Sequence, residues 1–125
     1  MEKINKETVD LILSEKYNEN FWLFELGRTE QIISDSPPIE HQFMNSFFEK
    51  GEQLWAKHKE KIKDYLCDKE KSEPKQFAKN LTNETLIELV HRIIELLTNT
   101  HNIGEAIAIP LCGLALKKGV HALCK

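Results

Sequence analysis

The residues from 103 to 124, IGEAIAIPLCGLALKKGVHALC, limit how this chain can fold more than any other stretch. Glu105 is the single charged residue between positions 103 and 116, and two lysines follow at 117 and 118. This apolar part is shorter than the roughly 20 residues that a helix needs to cross a bilayer, and apolar runs of such length are typical of buried core helices. The run therefore predicts a central helix that other helices surround.

Local signals within this run predict where the helix begins and bends. Asn102 and Glu105 have the spacing of a capping box, with Asn in place of Ser or Thr, so the helix is expected to start there. Pro110 lacks an N–H and its ring clashes with the preceding turn, so we expect a kink at that position. Small residues recur at steps of three and four and predict a close-packing face for a neighbouring helix: Gly104, Ala108, Cys112 and Ala115.

Apolar residues spaced three and four apart predict four earlier helices. Asn5 and Thr82 each stand between apolar residues five positions apart, the arrangement of an N-cap with a hydrophobic staple. The apolar run that begins at Phe21 fits a strand or a buried helix. We favour a helix, because no other segment alternates with a period of two and a strand would lack a partner.

These observations together predict an all-α fold. A chain of 125 residues is long enough for one hydrophobic core. We expect a single helical domain over residues 1–125, with a charged connection at about 68–80. The predicted architecture is an irregular bundle of about five helices, at approximately 5–17, 20–33, 37–67, 82–98 and 103–124, with the last one central and kinked at Pro110.

Charge and cysteine content narrow the class of protein. The net charge of -3, from 17 basic and 20 acidic residues, argues against binding nucleic acid phosphates, which usually requires a basic excess. Cys67, Cys112 and Cys124 are odd in number and widely spaced, which predicts reduced thiols rather than a disulfide framework. The opening MEKINKETVD has no apolar leader. The sequence therefore predicts a cytoplasmic protein.

Two short spacings suggest metal ligands. Glu88 and His91 have the Glu-x-x-His spacing of di-iron bundles, but those sites need a second copy, and none of the other four histidines has Glu three residues earlier. His121 and Cys124 share one helical face and would form half of a zinc site. His91, His121 and Cys124 are thus the metal candidates, and we predict no bound metal or cofactor because each set is incomplete.

The sequence contains no recognisable catalytic motif. A Gly-rich phosphate loop, Gly-x-Ser-x-Gly and Cys-x-x-Cys are all missing from it. Cys112 stands in the least polar stretch, where a thiol ionises poorly and is a weak nucleophile. We therefore predict a protein that is not an enzyme.

Aromatic residues provide the main functional indication. They are more numerous than one side of a small bundle needs, and aromatic clusters left outside a core tend to mark interfaces. We predict that the protein acts through protein–protein contacts, as a homo-oligomer or an adaptor, with Phe24 and Phe48 partly exposed. An alternative is a small effector or regulator whose apolar C-terminal helix associates with a membrane. The predicted contact residues are Trp22, Phe24, Phe48 and Trp55.

Overall fold

A computed structural model describes residues 5–34 and 43–125. The chain there is mostly helical, with very little strand, and the predicted all-α class is confirmed. The α-helices of this region are α1 (Lys6–Leu13), α2 (Glu19–Ser34), α3 (Phe43–Leu66), α4 (Asn83–Glu95), α5 (Glu105–Lys118) and α6 (Val120–Leu123). The region also contains four shorter elements: strands β1 (Cys67–Asp68) and β2 (Glu73–Pro74), a 3-10 turn (Gln76–Ala78) and a π-helical turn (Leu96–Thr100).

Two of the three predicted helix caps are confirmed. The third is wrong, because Gly104 rather than Asn102 is the N-cap of α5, and no side chain caps that helix. The Asn5 side chain accepts a hydrogen bond from the Thr8 N–H at 2.8 Å, which satisfies one of the unpaired amides at the start of α1. At α4, the Thr82 hydroxyl accepts from the Thr85 N–H at 3.3 Å, while the Thr85 hydroxyl accepts from the Thr82 N–H at 2.6 Å. This reciprocal capping box fixes the start of α4.

Helices α2 and α3 form an antiparallel hairpin whose backbones meet at two glycines. The segment from Phe21 onward lies inside α2, so the helical interpretation of this run is confirmed. A Cβ atom on Gly27 would collide with the carbonyl oxygen of Phe47, and one on Gly51 would collide with the carbonyl oxygen of Leu23. Glycine is required at both positions because any side chain would force the two helices apart.

Helix α5 is the centre of the bundle, as predicted. It packs against α1, α2, α3 and α4. Gly113 faces the indole of Trp22 so closely that a Cβ would lie 2.6 Å from two ring atoms. The buried residues of α5 are Ile107, Ala108, Pro110, Leu111, Cys112, Gly113, Leu114 and Ala115.

The interruption in the last helical segment lies at Gly119, not at Pro110. Helix α5 continues through Pro110, which stands in its second turn. Proline at that position removes the hydrogen bond to the carbonyl of Ala106, and Ala106 is exposed, so water can satisfy that group. Gly119 has a φ of 94°, which ends α5 and redirects the chain into α6.

The charged stretch after α3 contains regular structure of its own. Strands β1 and β2 are antiparallel, with Cys67 opposite Pro74 and Asp68 opposite Glu73. Lys79 forms an ion pair with Glu73 at 2.8 Å. The β1–β2 hairpin and the 3-10 turn thus form a structured connection between α3 and α4.

Candidate functional site

An aromatic cluster lies on the α2–α3 hairpin. The ring of Phe24 is 5.2 Å from that of Phe47 and 5.7 Å from that of Phe48. Phe47 is buried, whereas Phe24 and Phe48 are half-buried. The structure therefore places Phe24 and Phe48 at the partly exposed positions expected from the sequence.

One stripe of α2 extends this cluster toward solvent. Phe24, Arg28 and Ile32 follow one another at four-residue steps, so they form a ridge along the helix. Ile32 is 63% exposed, the largest exposure of any bulky apolar side chain in the described residues. Arg28 donates hydrogen bonds to both carboxylate oxygens of Glu25, at 3.1 and 2.7 Å, and this raises the pKa of Arg28. We call Phe24, Arg28, Ile32 and Phe48 the hairpin surface.

Trp22 and Trp55 do not belong to this surface, which corrects the sequence-based prediction for both. Trp22 is only 2% exposed because its side of α2 faces α5, where Gly113 makes room for the indole. Trp55 is 9% exposed, and the ammonium group of Lys118 lies 5.6 Å from its ring centroid. Both tryptophans are core residues of the monomer.

Part of the predicted close-packing face is buried in the monomer and part is exposed. Ala108, Cys112 and Ala115 are fully buried within the monomer, so they pack against other parts of the same chain. Gly104 is exposed and has no atom near the position of an added Cβ. The glycine that permits close packing on α5 is Gly113, which the sequence reasoning missed because it stands beside the predicted line.

Cys67 and Cys124 form a disulfide, so the prediction of three reduced thiols is wrong. Their Cα atoms are 5.3 Å apart, although the two residues are 57 positions apart in the sequence. Only Cys112 is free, and its complete burial raises the pKa of its thiol. The spacing of the cysteines in the sequence could not predict this disulfide. Strand β1 and helix α6 are distant in the sequence and come together only in the folded chain. The cytoplasmic prediction therefore loses its support from the cysteines.

The disulfide also changes the metal candidates. The sulfur of Cys124 is bonded to Cys67 and cannot act as a thiolate ligand. His121 is exposed and His91 is half-buried. We observe no hydrogen bond between Glu88 and His91. Glu88 instead accepts two hydrogen bonds from Arg92, at 3.1 and 2.8 Å. Across residues 5–34 and 43–125, no three His, Cys, Asp or Glu side chains converge as a metal site would require.

A polar groove of about 540 Å³ lies beside α4. Arg92 forms part of its wall, and its guanidinium carbon is 5.4 Å from the ring centroid of Phe77. Hydrogen bonding to Glu88, and then to Tyr65, raises the pKa of Arg92. The guanidinium group of Arg92 is thus already paired within its own chain. The groove is lined by Tyr65, Glu88, His91, Arg92, Glu95, Leu96, Asn99 and Thr100.

A buried histidine on α3 was also missed by the sequence reasoning. His58 is 7% exposed, and its Nδ1 atom is 3.1 Å from the Lys61 ammonium nitrogen. Burial lowers the pKa of His58, and the positive charges of Lys61 and Lys57 and the nearby His101 lower it further. The one sequence signal was its place in the apolar stripe of α3, four residues before Ile62 and three after Trp55.

Within the described ranges, no helix is both long enough and apolar enough to cross a membrane. The chain matches no protein-family model, no curated protein and no solved structure.

Proposed function

We propose that this protein acts through protein–protein contact and that the hairpin surface binds the same surface of a second copy. The 63% exposure of Ile32, on a ridge that includes the half-buried Phe24, is the observation that carries the proposal. The apolar side chains of this ridge lose contact with water when another protein covers them, which is favourable.

The hairpin geometry favours a second copy as the occupant. Helices α2 and α3 bury one side against each other and against α5, and the ridge lies on another side. Two antiparallel helix pairs related by a twofold axis give a four-helix arrangement, a common way to cover such a side. Arg28 is already paired with Glu25 in the same chain, so a symmetric contact brings no unpaired like charges together.

Sedimentation velocity over a wide concentration range tests this proposal. We expect the unaltered protein to dimerise and Ile32→Glu to remain monomeric, because the substitution places a charge at the most exposed apolar position of the contact. Ile87→Glu is the matched control, since Ile87 is also a helical isoleucine and is 42% exposed, but on α4. This variant should dimerise like the unaltered protein.

Two results would contradict the proposal. One is a strict monomer of the unaltered protein at high concentration. The other is a dimer that Ile32→Glu and Ile87→Glu weaken to the same extent, because the contact would then lie elsewhere. Circular dichroism of both variants establishes that each is folded before their association is compared.

The proposal is for a protein that is not an enzyme. The complete burial and raised pKa of the Cys112 thiol support this, because the one free cysteine cannot readily ionise to a nucleophile. No observation favours the alternative in which the C-terminal helix associates with a membrane. The apolar residues that α5 would insert form the core of the bundle, and inserting them would dismantle it.

A further inference from the structure

The disulfide joins two peripheral elements of the fold. Cys67 opens β1, and Cys124 follows the last residue of α6. Both residues are only 5% exposed. The bond therefore fastens the segment 119–124, which we call the α6 arm, to the start of the two-stranded hairpin.

The α6 arm is a short segment that adds Val120 and Cys124 to the hydrophobic core, with Leu123 packed against it. Helix α6 has four residues, and Val120 is its single buried member. It packs chiefly against β2 and the end of α5, whereas the buried part of α5 ends at Ala115. Gly119, with its φ of 94°, separates the two helices and can act as a hinge. Breaking the disulfide would therefore leave Val120 and Leu123 as the main contacts that hold the arm, whereas α1 to α5 keep the larger part of the core between them.

The third cysteine cannot exchange with this pair. Cys112 is completely buried on α5, and its Sγ donates a weak hydrogen bond to the Val90 carbonyl at 3.9 Å. Thiol exchange requires an accessible thiolate, which Cys112 does not supply. The folded chain can thus hold the Cys67–Cys124 bond or lose it without forming a different one.

We propose that Cys67–Cys124 is a redox-sensitive clasp, whose reduction releases the α6 arm while the rest of the bundle stays folded. A dithiol reductant supplies two electrons and two protons. The bond between the two Sγ atoms breaks, Cys67 and Cys124 become thiols, and the reductant closes to its own disulfide. The proposal does not depend on the function proposed for the hairpin surface.

Alkylation with iodoacetamide, followed by mass spectrometry, tests the clasp on the unaltered protein. After treatment with dithiothreitol in native buffer, we expect rapid modification of Cys67 and Cys124 and protection of Cys112. Cys112 is an internal reporter, because it becomes accessible only if the core opens. Protein reduced in strong denaturant gives the reference in which all three residues react.

Hydrogen exchange measures the movement of the arm directly. Amides of Val120–Leu123 should exchange at least tenfold faster after reduction, whereas those of α4 should remain protected. The double variant Cys67→Ser and Cys124→Ser should show the same fast exchange without reductant. Unchanged exchange in α6 after reduction would overturn the clasp, and so would modification of Cys112 at the same rate as the other two cysteines, because either result excludes a local release.

Discussion

Gly113 on α5 lies directly against the indole of Trp22 on α2, and this contact fixes how closely the central helix approaches the α2–α3 hairpin. A Cβ at position 113 would lie 2.6 Å from both Cδ2 and Cε2 of the ring. Trp22 is almost fully buried and has no free direction in which to move.

Gly113→Ala should therefore destabilise the protein by about 1–3 kcal/mol, the range for an overpacked core. Urea unfolding followed by tryptophan fluorescence measures the change. Gly104→Ala is the matched control, because Gly104 is the exposed N-cap residue of the same helix and an added Cβ there meets no atom. Its cost should be less than about 1 kcal/mol, since only the helix cap is affected. Equal losses in the two variants would disprove the close contact.

Gly27→Ala should be at least as damaging as Gly113→Ala. The atom in the way is the backbone carbonyl oxygen of Phe47, which cannot rotate aside as a side chain can. We expect a loss of about 3 kcal/mol, at the upper end of the range for overpacking, because α2 and α3 must separate. Urea unfolding gives the value, and a neutral result would show that the helices cross at a greater distance.

Loss of the disulfide should lower the free energy of unfolding. For residues 57 apart, the chain-entropy relation gives about 4 kcal/mol, because the open chain has more conformations to lose on folding. The double variant Cys67→Ser and Cys124→Ser should show this loss in urea, with no further effect of reductant. Cys112→Ala retains the bond, so its stability should still fall when dithiothreitol is added.

His58 should make the protein less stable at acidic pH. Because its folded pKa lies below the ordinary value of 6.5, the unfolded chain binds a proton at pH values where the folded chain does not. The free energy of unfolding therefore falls as pH drops below about 6.5, through the range between the two pKa values. The other groups that act on His58 are Lys57, Lys61 and His101.

Urea unfolding at pH 7.5 and 5.5 tests this dependence. His58→Gln should lose less stability than the unaltered protein between these two pH values, because it removes the group that titrates. His121→Gln replaces an exposed histidine and should keep the original dependence. The same pH response in His58→Gln as in the unaltered protein would show that His58 does not contribute.

Features that depend on neighbouring residues could be predicted from the sequence. Thr82 and Thr85 are three residues apart, and their reciprocal hydrogen bonds start α4 where the pattern indicated. Asn5 starts α1 for the same reason. Such caps need little information about the rest of the fold. The local spacing is not sufficient by itself, because Asn102 and Glu105 have it and the N-cap of α5 is Gly104.

Features that depend on distant residues could not be predicted. Helix α5 is apolar around its whole circumference, so its sequence does not show that Gly113 rather than Gly104 meets Trp22. That choice depends on how every neighbour packs against the helix. The same limit applies to Cys67 and Cys124, which lie on either side of α4 and α5 in the sequence and come together only in the folded chain.

The disulfide makes the segment from Cys67 to Cys124 a covalent ring that includes α4, α5 and α6. A protease that cuts the backbone once inside this ring would leave both fragments attached through the two sulfurs. A cut between α1 and α3 would instead release a separate piece, held only by its packing against the ring. The central helix α5 therefore lies inside the ring with α4, whereas three other helices that pack against it, α1, α2 and α3, lie outside the ring.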